Sequence, residues 1–150
     1  MPVDVAATIA GFDALGTRMD VAARGIASTA AHLVQAAAMK AAPVGTPGNS
    51  TNAPGDLRRS IDVQGPRALS AHAWEAEVGP TTAYGRQREL GGEILPRSAR
   101  MLAFTKFGTL YVVPRVYQEP EPYMKPALDE SRTVIGSAVT RIVAAAIEET

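Results

Sequence analysis

The clearest pattern along the chain lies at its start, where Ile9, Phe12, Leu15, Met19, Ala22, Ile26, Ala30, Leu33 and Ala37 recur at steps of three and four. That is the period of one helix face, and it predicts a single long helix over the first forty-odd residues, with this stripe turned toward the core. Off the stripe stand Ala6, Ala7, Ala14, Ala23, Ala27, Ala31, Ala36 and Ala38. Two readings of these stand side by side: alanine is the best helix former, and a surface of small residues suits close approach by a neighbouring helix. Gly11, Gly16 and Gly25 interrupt the pattern and allow one break or kink.

Pro43 is expected to end this helix, and the following stretch 43–55 is rich in glycine, proline and small polar residues with no apolar periodicity. It reads as a loop that is either disordered in the free protein or ordered by a partner. Asp56 is placed to cap one helical turn, Leu57 to Ser60, before a strand around Ile61 to Gln64. Between Ala73 and Gly79 the apolar Trp74, Ala76 and Val78 alternate with Glu75 and Glu77, the period of a strand with one covered face. A short helix or turn is expected from Tyr84 to Leu90, stopped by Gly91 and Gly92. Two further strands, Met101 to Phe104 and Leu110 to Val116, would meet around Gly108, with Pro114 marking an edge or an irregularity. Pro126 then sits in the first turn of a closing helix whose stripe is Leu128, Ile135, Val139, Ile142 and Ala146. The order helix, strands, helix predicts an α+β fold: one domain over 1–150, with a long N-terminal and a C-terminal helix packed on a small, mainly antiparallel sheet of about four strands.

Composition narrows what such a fold can do. Fifteen basic residues balance fifteen acidic ones, so no overall field recruits nucleic acid or an anionic membrane. The absence of cysteine excludes disulfides, a thiol nucleophile and thiolate metal sites together. The start carries Asp4 and Asp13 and lacks the basic region of a secretory signal, so it is read as part of the mature protein. No uninterrupted apolar run reaches the length of a spanning helix, and the chain is expected to be soluble or assembled rather than in a membrane.

Candidate chemistry is sparse. His32 and His72 have no partner at metal-binding spacing, and no serine lies in a nucleophile motif. Glu89 with Glu93, and Glu75 with Glu77, could in principle act as paired carboxylates, and the second pair shares a strand face that suits a solvated edge better than a catalytic dyad. The glycine-rich stretch lacks the Gly-Lys-Ser/Thr of a phosphate cradle. Arg58 with Arg59, and Arg86 with Arg88, make local positive spots that either face DNA or pair with nearby acids. No cofactor, metal or small-molecule substrate is expected.

Three segments carry a resemblance: GDLRRSI at 55–61, AYGRQRELGG at 83–92 and PEPYMKPALDE at 120–130. In order and spacing they resemble the tail-completion, or head-tail joining, proteins of siphophages. In those proteins a Gly-x-Leu-Arg-x-Ser-Ile stretch follows a proline-rich loop, a Tyr-x-x-x-x-Glu-x-Gly segment comes next, and Pro-x-Pro-Tyr/Phe-x-x-Pro-Ala opens the last helix. The Glu-Phe-Gly-Thr usual to that family is split here between Glu89-Leu90-Gly91-Gly92 and Lys106-Phe107-Gly108-Thr109, leaving two candidates for its turn. The resemblance implies a non-enzymatic virion subunit at the head-tail junction, assembled in the host cytoplasm as a homo-oligomeric ring, a hexamer. Its neighbours would be the stopper, the tail terminator and the tail tube, with packaged DNA nearby. The alternatives are a tail terminator capping the tube and a small phage regulatory or binding module; a hydrolase using Glu89 or Glu93 is the enzymatic one.

A closed ring needs two different sticky patches on each subunit. The small-residue face of the first helix is one candidate. The segment Tyr84 to Gly92, with Tyr84 and Leu90 beside Glu89 and Arg86, is the other, and Leu57, Arg58, Arg59, Tyr84, Arg86, Glu89, Leu90, Gly91, Tyr123 and Met124 together are the candidate partner-facing set. For Tyr84 a place in the core is the competing reading, and Tyr123 with Met124 are also placed to staple the last helix to the sheet.

Overall fold

The computed structural model describes residues 5–45 and 53–148, and its fold is α+β, with long N- and C-terminal helices packed on small antiparallel sheets. Helix α1 runs Val5–Ala41 without the break its glycines allow. A single turn, α2 (Asp56–Arg59), leads into β1 (Ile61–Ser70) and β2 (Ala73–Pro80), whose two-residue connection can only join antiparallel neighbours. Then come α3 (Gly85–Leu90), β3 (Gly92–Ile94), β4 (Leu102–Lys106), β5 (Thr109–Val113), β6 (Val116–Gln118) and α4 (Met124–Glu148). Residues 46–52 of the Gly/Pro-rich loop expected at 43–55 lie outside the described residues.

The strands form three two-stranded ladders, β1–β2, β3–β6 and β4–β5, where one sheet of about four strands was expected. Pro114 divides the run read as one strand from Leu110 to Val116. Before it β5 pairs with β4, Phe104 opposite Tyr111; after it β6 pairs with β3, Ile94 opposite Val116. Strand β1 continues past Gln64 because Gly65, at φ 105°, lets the backbone lie close: a Cβ there would stand 3.0 Å from the Glu75 carbonyl oxygen.

The contacts gather the chain into two compact units, Met1–Leu33 with Val63–Glu77 and Ser131–Thr150, and Val34–Asp62 with Val78–Glu130. In the first, the buried apolar side chains among the described residues are alanines, Ala22 and Ala31 of α1 and Ala138 of α4. Here the Trp74 indole N–H donates to Asp20 Oδ1 at 2.9 Å, and the Arg24 guanidinium lies 5.5 Å from the Trp74 ring centre. Arg67 bridges to Glu75 and Glu77, which makes those two carboxylates the acceptors of one surface cation rather than an acid and base pair. The stripe expected to face the core is only partly covered: Ile9 is exposed, and so is Phe12, at 69%. A helical period shows which face is apolar, not whether this chain has enough of its own surface to cover it.

The second unit has a continuous core of Ala38, Ala42, Leu57, Ile61, Tyr123 and Ala127. Ala31 and Ala38, assigned to the free small-residue face, are thus buried within their own chain, while Ala14 and Ala36 remain exposed. The Gln35 side-chain amide donates to the Ile61 carbonyl at 2.9 Å, pinning the end of α1 to the start of β1.

Candidate interaction surface

The three segments that carry the family resemblance meet in this second core. From the first, Leu57 and Ile61 are buried; from the second, Tyr84 packs against them; from the third, Tyr123 and Ala127 complete the cluster with Met124 at its margin. Tyr123 is wholly enclosed, and its hydroxyl donates to the Gly85 carbonyl at 3.3 Å. Burial, with Glu89 and Tyr84 adding to it, pushes its pKa up to about 12.

Glu89 is the polar centre of this arrangement. Its Oε2 accepts the main-chain N–H groups of Tyr123 (2.6 Å) and Met124 (2.9 Å), and Oε1 accepts that of Lys125 (3.0 Å). These are donors that the first turn of α4 leaves without helical partners, so a carboxylate on α3 caps a helix that begins more than thirty residues later. Desolvation works to raise the Glu89 pKa, but the three amide bonds outweigh it and hold the carboxyl below its ordinary value. A carboxylate kept ionised with both oxygens occupied suits capping, not proton donation. Arg88 adds a second tie, to Glu121 at 3.0 Å. Of the two halves of the split family motif, it is therefore the Glu89 half that meets the last helix.

The same geometry places the other candidate residues. Leu57 and Tyr123 are buried in the chain's own core, which corrects their assignment to a partner-facing surface. Gly91 is half-buried and has a role within the chain: it lies at φ 64°, and a Cβ would come within 2.7 Å of both the Gln118 carbonyl oxygen and the Pro120 nitrogen. Arg58 donates to the Ala42 carbonyl at 3.4 Å and is half-buried; Tyr84 and Met124 are half-buried against the core. Arg59 is exposed but paired with Asp56 at 2.5 Å. Asp56 itself does not cap α2: Gly55 holds the cap position, and the Asp56 carboxylate reaches back to accept the Ala53 N–H at 2.7 Å. Arg86 and Leu90 stand outward, Leu90 62% exposed. Of the ten, Leu57 and Tyr123 belong to the core, Arg58, Tyr84, Glu89, Gly91 and Met124 are half-buried, and Arg59, Arg86 and Leu90 are exposed.

A larger outward surface lies where no candidate was placed. The hairpin β4–β5 is apolar on both faces, Leu102, Phe104, Tyr111 and Val113 on one and Ala103, Leu110 and Val112 on the other. Phe104 and Tyr111 stack at 5.5 Å, and apart from half-buried Leu102 and Val113 the ribbon is exposed. Its tip is a two-residue turn with both central residues at positive φ, Phe107 at 51° and Gly108 at 79°. That turn favours Asn or Gly at its first central position, yet an aromatic ring, 74% exposed, occupies it. The sequence signal was there, in apolar residues at odd and even positions alike between 102 and 113, where a strand with one covered face would alternate.

A cleft of about 480 Å³ in the second unit is bordered by Asp56, Arg88 and Glu121, which are engaged in ion pairs, and by Lys106. Among the described residues no cluster of three or more His, Asp or Glu is placed to hold a metal, and no helix is long and apolar enough to cross a membrane. No family model, curated protein or solved structure matches the chain.

Proposed function

We propose that this protein is a structural subunit of a tailed-phage virion, a ring-forming tail-completion protein that joins the tail to the DNA-filled head. The observation that carries the reading is the convergence of the three motif segments. Residues 55–61, 83–92 and 120–130 are far apart in sequence, yet Leu57, Ile61, Tyr123 and Ala127 join Ala38 and Ala42 of α1 in one core, Tyr84 packs against it, and Glu89 caps α4. The segments whose order and spacing resemble that family thus pack together, which supports the reading. A hexameric ring of this chain would have the stopper, the tail terminator and the tail tube as its neighbours. The exposed apolar side chains of α1 and of the β4–β5 hairpin support an assembled rather than a solitary state.

The test is the mass of the purified protein by light scattering, alone and mixed with tail tubes, followed by negative-stain imaging of the tube ends. A chain that forms rings at tube ends supports the proposal. A stable dimer that ignores tails refutes it and favours the regulatory module.

A further inference from the structure

We infer that the β4–β5 hairpin is the arm by which one copy of this chain grips the next. This rests on the self-assembling reading above and adds to it the surface and the partner. The hairpin leaves Met101, Phe104, Phe107, Leu110, Tyr111 and Val112 exposed, on the order of 600 Å² of surface, against about 800 Å² per partner in a standard interface and a few hundred on an ordinary monomer. An isolated two-stranded hairpin is marginal in water, so a ribbon that turns apolar side chains outward on both faces is completed by what covers it. An exposed aromatic held at positive φ in the tip turn points the same way, because such a conformation is retained where a contact makes use of it.

Charge identifies the occupant. Residues 94–118 contain four cations, Arg97, Arg100, Lys106 and Arg115, and no Asp or Glu. The whole chain carries fifteen of each sign, so the rest of it holds eleven basic residues against fifteen acidic ones. Only Arg115 is locally neutralised, by Glu93 at 3.0 Å; Arg97, Arg100 and Lys106 make no ion pair among the described residues. An apolar hairpin set in a basic segment, on a chain otherwise acidic, is complementary to another copy of itself in head-to-tail fashion, the heterologous contact from which closed rings are made. A nucleic-acid duplex would meet the cations through its phosphates but would leave the aliphatic Leu110 and Val112 uncovered.

The chain has no cysteine, so Thr105→Cys places a single thiol on the exposed ribbon for a maleimide-benzophenone cross-linker. Labelled protein is mixed with isotope-heavy unlabelled protein, with and without tail tubes, irradiated and digested, and the joined peptides are assigned by mass. The expected result is light-to-heavy cross-links from the hairpin to acid-bearing peptides of another copy. In parallel, Leu110→Ser with Val112→Thr, checked for folding by circular dichroism, weakens self-association at least tenfold, and Lys106→Glu with Arg100→Glu does the same. Oligomers whose hairpin cross-links run only to tail proteins, to DNA or within one chain would overturn this inference and leave the assembly reading intact, as would hairpin variants that assemble normally. A chain that stays monomeric at every concentration, with tubes or without, overturns both.

Discussion

Replacing Glu89 by alanine removes the acceptor of three main-chain donors in one step. Two of those bonds are part-buried, at Tyr123 and Met124, and the third, at Lys125, is exposed and regains water. Loss of an ordinary helix cap costs about 1 kcal/mol, and an orphaned buried donor about 1 to 3 kcal/mol. Because the vacated space readmits some water, the expected loss for Glu89→Ala is about 2 to 3 kcal/mol. Glu89→Gln keeps one carbonyl oxygen for Tyr123 and Met124, turns an NH₂ toward Lys125 and gives up the charge at the helix N-terminus; about 1 kcal/mol is expected. The folded-state pKa of Glu89 is depressed, so its contribution is fully present above the unfolded carboxyl value and is lost as pH falls through the lower, folded one. Urea unfolding at neutral pH and at successively lower pH, followed by circular dichroism, reads both effects. The gap between wild type and Glu89→Ala should narrow in acid, below the ordinary carboxyl range. A gap of under about 0.5 kcal/mol at neutral pH, within the range of a surface substitution, or one indifferent to pH, refutes the capping role.

Other outcomes follow from the same contacts. Gly91→Ala drives a Cβ into the Gln118 and Pro120 backbone at positive φ, and a loss of about 2 to 4 kcal/mol should be seen in thermal unfolding. Tyr123 should ionise near pH 12 in an ultraviolet titration of the folded protein, a step that Tyr123→Phe should remove. Its raised pKa means that its stabilising contribution is intact below 10 and disappears as pH climbs from there through 12, so Tyr123→Phe should remove that alkaline component while costing about 1 kcal/mol at neutral pH through the lost bond to Gly85. Asp20→Ala frees the indole N–H of the sole tryptophan, and its fluorescence should report a transition about 1 kcal/mol less stable.

The long helices were legible because a three-to-four period repeated over many residues is hard to produce otherwise, and both closing elements stand within a few residues of where their stripes put them. The middle of the chain was harder. Strands β3 and β6 have three residues each, too few for a period of two to show, and each forms because the other is opposite. The role of Glu89 was invisible locally, since its acceptors serve a helix whose first turn is 34 to 36 residues away. Burial was misread for Phe12, where periodicity was right about the face and silent about what covers it. The candidate set erred in the opposite direction: Leu57 and Tyr123 were singled out from a motif, and a motif residue is as readily needed by the core as by a partner.

The ladder between β3 and β6, with Gly91 pressed against Gln118 and Pro120, has a bearing on how this chain can change over time. It brings the two ends of the excursion 92–118 side by side, immediately between the cap at Glu89 and the helix it caps. An excursion that leaves and returns at one point can lengthen, shorten or exchange its sequence with little demand on the core behind it. Selection for a new neighbour can then act on the arm while the frame that presents it stays fixed, and an engineer can graft a different hairpin at the same two residues.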